Sequence, residues 1–164
     1  MDSDPVRPRS AVARWIESET ESKETPVATY LNPYLSFRDN AREALEFYQS
    51  VFGGELVLST FGDFHASEDP AEVDKIMHGQ LETPGGLVLM GADTPADMEL
   101  AAKTSISVSI SGQDLAELQG YWDKLAEGGT VLQPFEDAPW GARFGMLNDK
   151  FGTPWLVNCG PGMS

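Results

Sequence analysis

One cysteine, two histidines and eleven lysines and arginines are all that this 164-residue chain holds of three residue kinds on which much protein chemistry rests. The lone thiol, Cys159, has no partner within the chain, so an internal disulfide scaffold is excluded and a reducing compartment is the natural reading. With no histidine near it in sequence to act as a base, Cys159 reads as structural rather than nucleophilic. His65 and His78 are too few for a His-rich metal site, and any substitute centre would need carboxylates. Eleven cations against 26 acids leave a formal charge of −15, which repels nucleic acid and acidic membrane surfaces. A neutral or cationic small molecule suits that charge, and plain solubility is its other use. No apolar run is long enough for a signal segment or a membrane span, so the expected location is the cytoplasm. Nor does a glycine-rich loop open a helix after a strand, as a nucleotide-bearing cofactor requires.

What is there is a pattern written twice. Asp39 matches Asp114, Phe47 matches Trp122, Leu31 and Leu35 match Ile106 and Ile110, and Gly53-Gly54 match Gly128-Gly129, each 75 residues apart (114 − 39). Such a repeat describes one supersecondary unit that must pack against its twin to complete a core. Residues 1–28 mix Pro, Ser, Glu and Arg with few large apolar groups; they read as a mobile extension, with a short helix over Ala11 to Ile16 as its one structured option. The first module then spans 29–93, a linker 94–103, the second module 104–158 and a tail 159–164.

Period-two alternation in TYLNPYLSF sets Leu31, Leu35 and Phe37 on one strand face and Asn32, Tyr34 and Ser36 on the other. Pro33 lacks an amide donor and predicts an edge strand or a bulge. A helix follows, capped by Asp39 or Asn40 with Glu43 in capping-box position, and its stripe is Ala41, Ala44, Leu45, Tyr48, Val51 and Phe52. Three strands complete the unit in ELVLSTFG, KIMHGQLE and GLVLMGAD. In the second unit Ile106, Val108 and Ile110 alternate with Ser105, Ser107 and Ser109, and Asp114 with Glu117 opens a helix carrying Leu115, Leu118, Trp122 and Leu125. Strands near TVLQPF, ARFGML and TPWLVN close it. With the apolar faces under the helices, the polar faces line a concave surface, and the two curl toward each other into a cleft with apolar walls and a few placed polar groups.

The segments LNPYLSF, NAREALEFYQSVFGGEL, IMHGQLE, LVLMGAD and RFGMLNDKFGTPWLVN resemble the vicinal oxygen chelate superfamily, in its PhnB-like, glyoxalase and bleomycin-resistance-related branch, from about Thr29 to Asn158. The resemblance implies an α+β fold: two tandem βαβββ modules whose curved mixed sheets surround a cleft. It also implies a homodimer, since such proteins commonly build each cleft from units of two chains. Metal enzymes of the superfamily hold a divalent ion with His, Gln or Glu from the first and last strands of each unit. The matching positions here are Asn32, Ser107, Met90 and Leu156, so the usual ligands are absent and no cofactor is predicted.

In KIMHGQLE the set Met77, Gly79 and Leu81 faces the helix, which turns His78 and Gln80 into the cleft beside Met90. There His78 is either an ordinary hydrogen-bonded imidazole or a general base near neutral pH. His65, with Asp63, Glu68 and Asp69 nearby, sits in an acidic loop whose spacing matches no metal motif. Trp140 belongs to a loop and suits a lid or ligand wall, stacking on a flat or cationic molecule; Trp155 reads as core. Arg143 forms the polar end of the cleft or pairs with a surface acid. Two functions remain open: a metal-independent protein that binds a small organic molecule, as bleomycin-resistance proteins do, with Asn32, Tyr34, Gln80, Met90, Ser107, Trp140, Arg143 and Leu156 as its contacts; or a glyoxalase-like lyase or isomerase, or a dioxygenase-type enzyme, with a non-standard site using His78.

Overall fold

A computed structural model describes residues 29–100 and 104–160. The N-terminal extension with its optional helix, the last three residues of the linker and the last four residues of the tail lie outside the described residues. The first module runs β1 (Tyr34–Phe37), α1 (Ala41–Phe52), β2 (Glu55–Thr60), β3 (Ile76–Glu82) and β4 (Val88–Asp93). The second runs β5 (Val108–Gly112), α2 (Leu115–Ala126), β6 (Thr130–Asp137), β7 (Arg143–Asn148) and β8 (Pro154–Cys159). Each module makes a four-stranded mixed sheet, ordered β1-β4-β3-β2 and β5-β8-β7-β6, in which the first strand pairs parallel to the last and the other pairs are antiparallel. The two βαβββ modules implied by the sequence are therefore present, and β1, the strand after Pro33, is an edge strand. No helix among the described residues is long and apolar enough to cross a membrane.

The repeat has two spacings rather than one. Gly53 and Gly128, 75 apart, both end their helices in the left-handed region (φ 71° and 70°), where glycine carries no Cβ penalty. Past the second strand of each module the spacing drops to 66 (145 − 79), because the β2–β3 connection is long and the β6–β7 connection short. Gly79 and Gly145 then correspond: each lies under a helix side chain, Leu45 on Gly79 and the Trp122 ring on Gly145.

Both first strands are shorter than the alternation suggests. β1 begins at Tyr34 and β5 at Val108, which leaves Leu31 (100 % exposed) and Ile106 (71 % exposed) outside the sheets. Pro33 has no N–H to donate and only its carbonyl engages β4, accepting from the Met90 amide, so ladder pairing starts one residue later. In β3 a register shift opposite Ser59/Thr60 brings Ile76, not Met77, into the core with Gly79 and Leu81.

The helix starts differ too. Asp114 caps α2 as the sequence indicates, its carboxylate accepting from the Glu117 amide at 3.1 Å. At α1 the residue before the helix is Asn40, but its side chain makes no cap; Asp93, from the end of β4, takes the Ala41 amide at 3.0 Å with one oxygen and the Ile76 amide at 2.9 Å with the other. Asp39 instead turns to Lys75, 2.7 Å away, from a left-handed backbone (φ 67°).

One core joins the modules, in a unit that begins at Asn32. From α1, Tyr48 and Phe52 pack against Trp155 of β8 (centroids 5.6 Å in both pairs), and Phe52 meets Tyr121 of α2 at 5.0 Å. Asp149, 3 % exposed in the β7–β8 turn, accepts from the Phe151 and Thr153 amides, from Tyr48 Oη at 2.7 Å and from Trp155 Nε1 at 2.9 Å. The helix-bearing faces of both sheets thus share one interior. Their open faces lie on the sides away from that core.

Candidate functional site

Strand parity decides what each open face carries. On the first sheet the outward positions are Tyr34 and Ser36 on β1, Met90 and Ala92 on β4, His78 and Gln80 on β3, and Val57 and Ser59 on β2. Register sets Tyr34, Met90, Gln80 and Val57 in one row across the sheet. Tyr34 leans over that row to His78: its Oη is 3.2 Å from Nδ1, with the two rings 5.7 Å apart and tilted by 32°. Burial holds the Tyr34 phenol above its ordinary value, so it stays protonated at neutral pH. Gln80 donates its amide to the Glu82 carboxylate on the same face. The sequence places His78, Tyr34, Gln80 and Met90 on one surface, and the structure brings them together there. Asn32 precedes β1, partly buried, and lies off the sheet.

The open face of the second sheet mixes hydroxyl, amide and carboxylate groups with three large apolar side chains. Its outward rows are Ser109, Leu156, Met146 and Gln133, then Ser111, Asn158, Phe144 and Glu136. Trp140, 67 % exposed in the β6–β7 turn, sets its ring edge-on to Phe144 at 5.7 Å. Beneath it is a recess of about 310 Å³ lined by Gln133, Glu136, Pro139, Trp140, Phe144 and Met146 among others. Of these lining residues sequence reading named Trp140 alone. Phe144 and Met146 were legible in the alternation of ARFGML, but a strand apolar on both faces hides which residues face out.

Arg143 takes the second of its two expected places, and Ser107 lies off the sheet. Arg143 has the parity of Gly145 and Leu147, so it points to the helix side, 3.4 Å from Asp137 Oδ1 and 3.4 Å from the Gln119 side-chain oxygen on α2, with its guanidinium 5.7 Å from the Phe135 ring. It pairs with a surface acid and does not reach the open face; the hollow that it lines, about 560 Å³, lies instead with Leu115 and Cys159. Ser107 precedes β5 and is exposed, with Ser105, off the sheet; Ser109 and Ser111 are the hydroxyls on the face. In the loop after β2, Asp63 and Asp69 are engaged as turn acceptors for the Thr60 and Ala71 amides, and these backbone bonds hold the Asp63 carboxyl below its ordinary value.

Of the four positions that match the superfamily's metal ligands, Met90 stands on β4 and Leu156 on β8, while Asn32 precedes β1 and Ser107 precedes β5. An amide, a thioether, a hydroxyl and a hydrocarbon do not fit a catalytic divalent ion, which takes imidazole nitrogen or carboxylate oxygen. Among the described residues no group of three or more His, Cys, Asp or Glu side chains is placed to hold a metal.

Comparison with known proteins agrees with this architecture. The sequence profile of a family described as 3-demethylubiquinone-9 3-methyltransferase matches residues 29–158. Protein YjdN of Escherichia coli K12 is 30% identical over 139 residues, covering 78% of this chain and 93% of that protein. Among solved structures, protein PA1353 from Pseudomonas aeruginosa is 38% identical with a TM-score of 0.72, over 81% of this chain and 98% of that one. A PhnB protein from Bacillus cereus is 26% identical with a TM-score of 0.66, over 80% and 99%. With a profile match over both of its βαβββ modules, the chain belongs to this family, whose solved relatives include the PhnB protein.

Proposed function

We propose that this protein binds a small organic molecule between its open sheet faces, that two copies close the cleft, and that it does so without a divalent metal. The open face of the first sheet of one copy and that of the second sheet of another are the walls available to enclose a ligand. Their exposed large side chains, Tyr34, Val57 and Trp140, favour burial by a second surface. The observation that carries the metal-free part is the pair Met90 and Leu156, which stand on the last strands with no oxygen or nitrogen to offer. The family's description names a methyltransferase, but the β1–α1 link is Arg38-Asp39-Asn40, without a glycine to let a pyrophosphate or nucleotide approach the backbone; that activity is not part of this reading.

Light scattering on the eluted protein tests the assembly, with a mass of twice 17.9 kDa expected. Elemental analysis of protein purified without chelator is expected to find well under one transition-metal ion per chain; a stoichiometric ion overturns the metal-free reading. Thermal shifts against a metabolite and antibiotic panel then locate the ligand, because binding to the folded state raises its stability by mass action.

The contact between Tyr34 and His78 favours a second reading, in which His78 is the base of a lyase or isomerase and the phenol orients it. For that reading His78→Ala must abolish turnover of a substrate whose binding survives.

A further inference from the structure

We infer that the recess under Trp140 is a subsite for the ammonium head of an organic cation. This rests on the reading above, that the open faces bind small molecules, and adds which chemistry the second sheet selects. Trp140 and Phe144 set two aromatic rings against each other at 5.7 Å and 64°, and Met146 and Pro139 supply further apolar, polarizable wall. A wall of this kind attracts any apolar group; one charge makes it selective. Asp137 lies 3.4 Å from Arg143, whereas Glu136 meets only the neutral amide of Gln133, at 3.4 Å. Among the described residues no cationic side chain pairs with Glu136, which brings a negative charge to the rim of a hollow lined by two aromatic rings. Quaternary and other alkylammonium groups are stabilised by that pairing: the ring faces attract a weakly hydrated cation, and the carboxylate supplies long-range attraction without demanding a proton to donate. The opening, about 310 Å³, admits a trimethylammonium head with part of the body that carries it. A net charge of −15 adds the same sign of field over the whole surface.

On the first sheet the acid, Glu82, likewise accepts from a neutral amide, that of Gln80, but the aromatic, Tyr34, is engaged with His78. The cationic end of the ligand is therefore assigned to the second sheet, where two aromatic rings and a recess accompany the acid.

The test compares choline with 3,3-dimethylbutan-1-ol, which has the same shape with carbon in place of the charged nitrogen, titrated into the full chain while the indole N–H of Trp140 is followed by NMR. Saturable binding of choline that shifts the Trp140 signal, with the neutral analogue at least tenfold weaker, is expected. Trp140→Ala and Glu136→Gln should each weaken choline at least fivefold; both side chains are exposed, so folding is spared. Equal affinity for the two probes, or no movement of the Trp140 signal at saturating choline, overturns the inference. If neutral members of the metabolite panel still stabilise the protein in that event, the ligand-binding reading stands and the cation subsite alone falls.

Discussion

At the residue scale, the most consequential group in this molecule is one that touches no candidate ligand. Asp149 is buried with four donors on its two oxygens, two of them side chains, Tyr48 and Trp155. Tyr48, 0 % exposed, also takes the Thr153 hydroxyl at 2.9 Å. Hydrogen bonds to a buried carboxylate are among the stronger ones in proteins, so Tyr48→Phe should lower stability by about 2 kcal/mol, read as a shift of the urea midpoint at unchanged slope. Burial first, and then the Asp149 carboxylate, push the Tyr48 phenol well above its ordinary value. The phenol holds its proton more tightly in the folded state, so its contribution is fully present below pH 10 and is lost as pH rises beyond that, where only the unfolded chain ionises. Tyr121, pushed up to about 12 by burial and by Glu117, acts in the same direction. The wild-type urea midpoint should therefore fall between pH 9.5 and 11, and more steeply than that of Tyr48→Phe; parallel curves would remove Tyr48 from this account.

At the element scale, the helices were easy to foresee, and so was the beginning of α2, but that of α1 was not. The apolar stripe of α1 is as the spacing dictates: Ala41, Ala44, Leu45, Tyr48 and Val51 are all buried. Its cap, however, comes from Asp93, 52 residues on from the amide it serves, and no local pattern encodes that. Asp93→Ala should destabilise the protein by about 1 to 2 kcal/mol, because both Ala41 and Ile76 amides lose their acceptor, while Asn40→Ala should cost about 0.5 kcal/mol or less. Thermal unfolding of the two variants side by side separates these assignments. The sheets carry a matching constraint at Gly145, where an added Cβ would stand 2.7 Å from the Trp122 ring and 2.9 Å from the Phe135 backbone. Since neither the stacked ring nor the bulged strand has room to retreat, Gly145→Ala should cost about 1 to 3 kcal/mol through overpacking, measurable in the same assay.

At the scale of the whole molecule, charge and shape act against each other. Fifteen net negative charges on each copy oppose association, whereas open sheet faces bearing exposed Tyr34, Val57 and Trp140 favour it. Salt screens the first effect and leaves the second, so raising sodium chloride from about 50 to 500 mM should tighten the proposed dimer, as sedimentation would record. The same screening should weaken the cation subsite. Opposite salt dependences for assembly and for choline are expected; a dimer that loosens with salt would show that ion pairs, not apolar faces, hold it.

The amino-acid sequence by itself determined the duplication, the element order, the parity of most strands and the chemistry facing out from the first sheet, because periods of two and 3.6 and the helix-ending glycines act between near neighbours. His78, Tyr34 and Gln80 could be placed that way, whereas Met90 and Leu156 were placed by resemblance to the superfamily. Tertiary structure alone decided the rest. Arg143 went to the helix side, Ile76 displaced Met77 at a bulge, Ser107 fell short of the sheet, and the open faces turned outward from a core pinned by Asp149. Each of these depends on which surface a strand meets across tens of residues, and that is set by packing and by the satisfaction of buried polar groups, not by any local period.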